Sequence, residues 1–544
     1  MTDRPPTIVE YGAFQQPPSP LFRDYLLGSD RSAPFYEGGR WDLDALVAAA
    51  DRSLTLPRPR QELAEALARQ QEGRGAAEAA RRARELSDRG ATTVITGQQA
   101  GLFGGPLYVL YKALAAIKVA ARLQDERGAP VVPVFWVAAD DHDFAEVRST
   151  SVLDDTGQIR TVRYAPAREP VGLPASRVIL DETITPLIAE LGRALPSGLH
   201  RDTALEMLCA SYRPGVSLSD AFARLVSALM PGLVVLDASD PALKRHSVAA
   251  MSREVSEGSP TSRLAREIGA QLLGAGYHQQ VPVRSGFLNL FLFMDEERRA
   301  LGTTANGSIE VRGLGKRIST EEAVRMMEAD TAPWSAGVLL RPLAQDLMLP
   351  SAAYVGGPAE IAYHAQIGPS YRHFGIPRPV LLPRPSVTLV EPAQARTLDV
   401  EALTLPDLQT DPETLLARWT RIAHPQVEEA FTRTREAVER EMAVVEERLG
   451  ELDPTLRAAT DGARGRALHQ IETLHEKATR ALKKRDQTRA DRLRRTRDAL
   501  LPGGSFQERG LGLINLVARH GPAVVDDLLA RIDPWARGHQ VIHL

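Results

Sequence analysis

The chain has 544 residues, 43% hydrophobic and 25% charged, and 66 basic against 69 acidic side chains leave a net charge of −3. That balance argues against a surface that grips nucleic acid throughout, and 41 Gly with 38 Pro are too few for a collagen-like or low-complexity chain. The single cysteine, Cys209, excludes an internal disulfide framework, a zinc ribbon and a cysteine-ligated iron–sulfur cluster, and fits a reducing cytoplasm.

Length alone gives a prior of three or four folding units. The opening residues, Met1 to Pro6, carry no basic stretch followed by an apolar core. The most apolar run, Phe287–Met294, falls far short of the roughly 20 residues that cross a bilayer, so a soluble, cytoplasmic protein without a membrane segment is expected. Lysine is rare: Lys112, Lys118, Lys244, Lys316, Lys477, Lys483 and Lys484 are seven of the 66 basic residues, a bias that reads as genome composition.

Up to about residue 390, short apolar runs alternate with helical patterns, which predicts an α/β core. Thr92–Thr96, Val131–Val137 and Leu233–Leu236 read as buried strands that end at polar or glycine-rich turns. Weaker signals predict insertions near 147–230 and 258–335. Val427, Phe431, Thr434, Val438, Met442, Val445 and Leu449 then recur at steps of three and four, one stripe of a long helix. Residues 450–454 break it, and a second helical stretch runs from about 455 to Leu500. Glutamates load the first helix, and ten basic residues from Lys477 to Arg497 load the second. An antiparallel coiled-coil hairpin that pairs them is the simplest arrangement, ahead of a nucleic-acid arm, for which stacking aromatics are missing. The tail from Phe506 to Leu544 reads as one or two helices packing back. The expected organisation is therefore a core over 1–390, a helical domain over 391–503 and a tail over 504–544.

Three segments carry candidate chemistry. In Thr96-Gly97-Gln98-Gln99-Ala100-Gly101-Leu102-Phe103-Gly104-Gly105-Pro106, glycines allow close backbone approach, Pro106 suits the first helical position, and the helix start offers free amides to an anion. No Gly-Lys-Ser/Thr closes it as a Walker loop, and its spacing is not that of a dinucleotide fingerprint. Tyr108 and Lys112 follow on one helix face. Phe135 to Glu146 delivers Asp140, Asp141, His142 and Asp143 to a strand's carboxyl end, where the carboxylates would raise the histidine pKa, hold a divalent metal or cap a helix. Tyr354-Val355-Gly356-Gly357-Pro358, with Glu360 and Tyr363, repeats the glycine-turn logic after Arg341. Pro383-Arg384-Pro385-Ser386 opens a strand-like segment that by itself reads equally as an exposed edge. Cys209, in a helix-like stretch, reads as core packing.

Together these motifs resemble the bacillithiol-biosynthesis cysteine-adding enzymes, the cysteine ligases of that pathway, over nearly the whole chain. Asp140 stands where the family usually has glutamate, and His364 where it usually has an aromatic residue. The resemblance implies a Rossmann-like core similar to class I aminoacyl-tRNA synthetases, with inserted connecting segments and a C-terminal coiled coil that supports a homodimer. It implies the joining of L-cysteine to glucosaminyl-malate through an amide, with ATP or ADP as the nucleotide and the metal requirement open. Asp141, His142 or Asp143 is then the candidate proton acceptor. Gln98, Gln99, Gly101, Gly104, Gly105, Tyr108, Lys112, Tyr354, Gly356, Gly357, Glu360, Tyr363, Arg384 and Ser386 form the candidate nucleotide and substrate set. Arg341 and Arg384 are candidates for the malate carboxylates. Class I synthetases place a lysine-bearing loop at the pyrophosphate; the Pro383–Ser386 segment has none, so either Arg384 substitutes or activation runs differently. A nucleotide-binding coiled-coil scaffold without catalysis and an RNA-binding synthetase relative are the alternatives.

Overall fold

The computed structural model describes all residues except 1–4, 38, 40, 305–306, 411–413, 415–423 and 486. By its contacts the chain divides into two units, one of residues 1–13, 17–389 and 506–544, the other of residues 14–16 and 390–505.

In the first unit, runs without a wet face build the central sheet. β1 (Thr92–Gln98), β2 (Val131–Val137), β3 (Val234–Asp237), β4 (Ser351–Gly356) and β5 (Val380–Pro383) lie in the order β5-β4-β1-β2-β3. Every neighbouring pair is parallel, and nearly every strand residue is buried, as covering both faces with helices requires. Thr96 pairs with Phe135 on one side and Val355 on the other, so the central strands end side by side. The chain builds β1, β2 and β3 in one direction, then returns to add β4 and β5 beyond β1. The reversal lies between β1 and β4, where open α/β sheets form a crevice at the carboxyl ends. Helices α1 (Leu107–Arg127) and α2 (Pro358–Phe374) follow β1 and β4, and α1 stops at Gly128, whose φ of 62° is left-handed.

Between β2 and β3 the chain inserts an antiparallel hairpin, Ser149–Leu153 with Ile159–Arg163, and three helices, Ile184–Ala194, Arg201–Ser211 and Leu218–Leu229. The Arg201–Ser211 helix turns Ala204, Leu208 and Ser211 inward, which leaves Cys209 exposed; the expected core cysteine is a surface one.

Between β3 and β4 lies a five-stranded antiparallel sheet. Its strand Phe287–Met294 alternates with the two-residue period of a pleat. Leu288, Leu290 and Leu292 enter a core with Trp334 and Met327. Phe287, Phe291 and Phe293 face the other way, and each lies under a guanidinium, of Arg312, Arg298 and Arg177 at 3.8, 3.6 and 3.9 Å.

The tail forms helices Gln507–Gly510, Leu513–His520 and Val524–Arg531, and then a strand, His539–His543, which a purely helical reading misses. Its antiparallel partner, Thr7–Val9, sits at the opposite end of the chain, beyond any local pattern. Ser386–Val390 completes this three-stranded sheet and is buried throughout, so it is not an exposed edge.

In the second unit, α3 (Pro425–Leu452) and α4 (Leu456–Arg485) form the expected antiparallel hairpin. Phe431 stacks on His475 at 4.5 Å, His475 meets Glu428 at 2.7 Å, and Arg464 meets Glu446 at 3.1 Å. In the basic stretch, Arg489 and Arg492 of α5 (Gln487–Leu500) converge on buried Glu401, at 2.7 and 3.2 Å. Among the described residues no helix is long and apolar enough to cross a membrane.

Candidate active site

Two cavities open at the carboxyl ends of the parallel strands. The first, about 390 Å³, sits at the β1/β4 reversal and is lined by Gly97, Gln98, Tyr108, Lys112, Gly357 and Glu360, among others. The second, about 370 Å³, lies against the inserted sheet and is lined by Asp140, Asp141, His142, Lys244, Arg298 and apolar walls. Trp136, Ala138, Val338 and Arg341 line both, so one wall separates two ligand-sized spaces.

In the first cavity, Lys112 is buried and its ammonium spends all three donors inside the protein. It donates to Gly97 O at 2.7 Å, to Gln98 Oε1 at 3.0 Å and to the Glu360 carboxylate. Glu360 also accepts from Gly357 N at 2.8 Å and from Tyr354 Oη at 2.5 Å. Burial alone would push the Glu360 carboxyl up; Lys112 and these donors outweigh it and hold it below the usual carboxylate range. Lys112 is therefore not a loose countercharge but the post that fixes Gln98 and Glu360. Arg341 is different. It donates to Tyr363 Oη at 2.8 Å and to Gln345 Oε1 at 3.0 Å, and among the described residues no carboxylate pairs with it. Together with exposed Arg509, the lining holds four cations, Lys112, Arg341, Arg384 and Arg509, against two carboxylates, Glu146 and Glu360. Such a balance favours an anionic ligand.

Gly97 is a site residue that sequence reading passed over. A Cβ there would stand 2.7 Å from the Trp136 carbonyl on β2. Gly97→Ala should therefore push β1 from β2 beneath both cavities and cost about 1–3 kcal/mol, read from the urea unfolding midpoint. An unchanged midpoint would show that the strands yield.

Several expectations need correction. Gly101, Gly104 and Gly105 line neither large cavity. Their turn does not present free amides to an anion: Gly104 N donates to Tyr212 Oη, Gly105 N to Leu102 O, and Leu107 N to Leu511 O of the tail. Pro106 precedes the helix instead of opening it. Gly356 faces neither cavity, and its carbonyl accepts from Arg384 N. Ser386 is buried away from both, between Glu508 and His539. Arg384 does reach the first cavity, but Glu508 holds it at 2.6 Å, so it is not a free substitute for a phosphate-binding lysine.

The acidic cluster is dispersed. Asp140 pairs with Lys244 at 2.8 Å, Asp141 accepts from Gln99 Nε2 at 2.6 Å, and exposed Asp143 caps the helix Phe144–Val147 outside both large cavities. Among the described residues no three His, Cys, Asp or Glu side chains group as metal ligands. The carboxylates also fail to raise the histidine. Burial, then the adjacent Arg298 guanidinium, push the His142 pKa down, against the weaker pull of Asp141 and Asp143. His364, where an aromatic residue is usual, is buried and stacked on Tyr363 at 4.9 Å.

Lys244, Arg298 and Arg509 were not singled out by sequence reading. For Lys244 a signal existed: among the described residues, two of the few lysines in this arginine-rich chain are buried, Lys112 and Lys244, and each lines a cavity.

Comparison with known proteins decides the family. Residues 9–385 match the N-terminal Rossmann-like domain of bacillithiol biosynthesis BshC, and residues 387–544 match its C-terminal coiled-coil domain. The chain belongs to the BshC family. A relative from Salinibacter ruber, named "Putative cysteine ligase BshC", is 32% identical over 99% of this chain and all of its own length. Relatives of the same name from Koribacter versatilis and Solibacter usitatus are 33% and 32% identical, each over 94% of both chains. As a BshC family member the chain is an enzyme of the ligase class, with a Rossmann-like core and a coiled-coil domain.

Proposed function

We propose that this BshC enzyme joins the carboxyl group of L-cysteine to the amine of glucosaminyl-malate, forming the amide of bacillithiol in the cytoplasm. The observation that carries the reading is the pair of cavities with Arg341 in their shared wall, whose half-buried guanidinium, among the described residues, meets no carboxylate in salt-bridge range. A fixed, partly desolvated arginine of this kind binds a substrate carboxylate bidentately and gains more than it would in water.

A bound nucleotide, ATP or ADP, would supply activation of the cysteine carboxyl for attack by the amine. The cationic excess of the first cavity fits such an anion, with Arg341 and Arg509 as the residues to hold it and Gln98 held ready by Lys112. In the second cavity Asp141 is the candidate proton acceptor for the attacking amine, since Asp143 lies outside it. A second copy of the chain is the proposed partner, docking on the hairpin that exposes Val444, Val445, Leu452 and Leu474.

Purified protein with cysteine, glucosaminyl-malate and ATP should accumulate bacillithiol by mass spectrometry, with one nucleotide consumed per amide. Arg341→Met should reduce kcat/KM by at least about 100-fold, the loss of one buried charge-assisted contact. No product with any nucleotide or metal would sink the reading and return the scaffold alternative.

A further inference from the structure

Arg298 comes from strand Glu297–Thr303 of the inserted sheet and meets His142 at the end of β2, 156 residues earlier. Its Nη1 stands 3.1 Å from His142 Nδ1, its Nε donates to Ser335 Oγ at 2.9 Å, and its guanidinium lies 3.6 Å over the Phe291 ring. Phe291 also packs 6.1 Å from the imidazole, so the arginine is held on three sides. A guanidinium only donates. His142 Nδ1 must therefore be the acceptor, which leaves the ring proton on Nε2. Among the described residues Nε2 has no hydrogen-bond partner, and His142 lines the second cavity.

We propose that Arg298 is a positioning residue that locks His142 as the neutral Nε2–H tautomer, making it a hydrogen-bond donor to an oxygen of the bound carboxyl group and not the proton acceptor. The choice of ligand rests on the amide-forming reading; the tautomer does not. The balance of charges agrees. Asp141, 3.8 Å from Nδ1, and Asp143 attract a second proton. Arg298 and burial repel it, while Asp140 and Lys244, on the same cavity, neutralise each other. An imidazole kept neutral in this way can stabilise negative charge on a carbonyl oxygen without taking up the proton of the amine.

The test is histidine-selective ¹⁵N NMR of the full chain, without substrate, with the His142 signal assigned from His142→Gln. The expected spectrum shows Nδ1 unprotonated and Nε2 protonated, with the ring neutral to below the usual histidine range. In Arg298→Met the titration midpoint should rise by about one pH unit or more, because burial alone then opposes Asp141 and Asp143. A wild-type His142 protonated on Nδ1, or a midpoint unmoved in a folded Arg298→Met protein, overturns the proposal. Should that variant fail to fold, the wild-type tautomer alone decides. Neither readout depends on turnover, so a failed ligase assay leaves this test intact.

Discussion

Lys112→Met is expected to cost about 3–5 kcal/mol of stability and to abolish activity, because it leaves the buried Glu360 carboxylate without its cation. The Lys112 side chain is 1% exposed, and Glu360 reaches water only in part at 21%. Water cannot fully replace the lost ammonium. Three further groups depend on it: the Gly97 carbonyl, the Gln98 amide and, through Glu360, the start of α2 at Gly357. The first cavity thus loses its floor together with its charge balance. The double variant Lys112→Met/Glu360→Gln should recover much of the stability, since no unpaired charge stays buried, yet remain inactive. Urea unfolding of the two variants separates these effects. A loss below about 1 kcal/mol in the single variant would mean that the pair behaves as an exposed one.

Acid should weaken the first unit through His539, well above the range where carboxylates titrate. His539 is fully buried, accepts or donates with Ser386 Oγ and Thr388 Oγ1 at 2.8 Å each, and stacks on Phe506 at 4.7 Å. Burial pushes its pKa down to about 4; Glu508 opposes the shift and Arg384 adds to it. The folded protein therefore keeps His539 neutral while the unfolded chain takes up a proton below its ordinary value of about 6.5. Stability is complete above about pH 6.5 and falls as the pH drops towards about 4, where the loss levels off. The total is roughly 3 kcal/mol. Glu508, held below the usual carboxylate range against its burial by Arg384, is ionised in both states between pH 7 and about 5.5 and adds slope of the same sign only as the pH nears its ordinary value of 4.5. Urea midpoints for the wild type should drop between pH 7 and pH 5, and those of His539→Gln should drop less steeply, the remaining slope coming from His364, also buried and held well below the usual histidine range. Equal slopes in both proteins would rule out His539 as the sensor.

Much of this enzyme was legible in local pattern. The runs Thr92–Thr96, Val131–Val137 and Leu233–Leu236 are strands of the parallel sheet because β-branched and apolar residues without alternation have no face to give to water. The three-and-four spacing from Val427 to Leu449 marks α3 for the same kind of reason. The glycine turns and the Asp141-His142-Asp143 segment do lie at the carboxyl ends of strands, and Gln98, Gln99, Tyr108, Lys112, Tyr354, Glu360 and Tyr363 do share one cavity.

Tertiary structure alone decided the charges. Lys244 meets Asp140 across 104 residues, Arg298 meets His142 across 156, and Arg384 meets Glu508 across 124. Periodicity reports which face of an element is apolar, whereas a charge interaction depends on a distance and a local dielectric that exist only once distant segments meet. The aspartates that read as raising a histidine are outweighed by its burial and by an arginine from the inserted sheet. Likewise, the glycine turn that read as an anion cradle has its amides taken by Tyr212 and the tail. The sequence by itself determined the architecture and the neighbourhood of the site; which groups remain free to act there was settled by where the insertions and the tail come to rest.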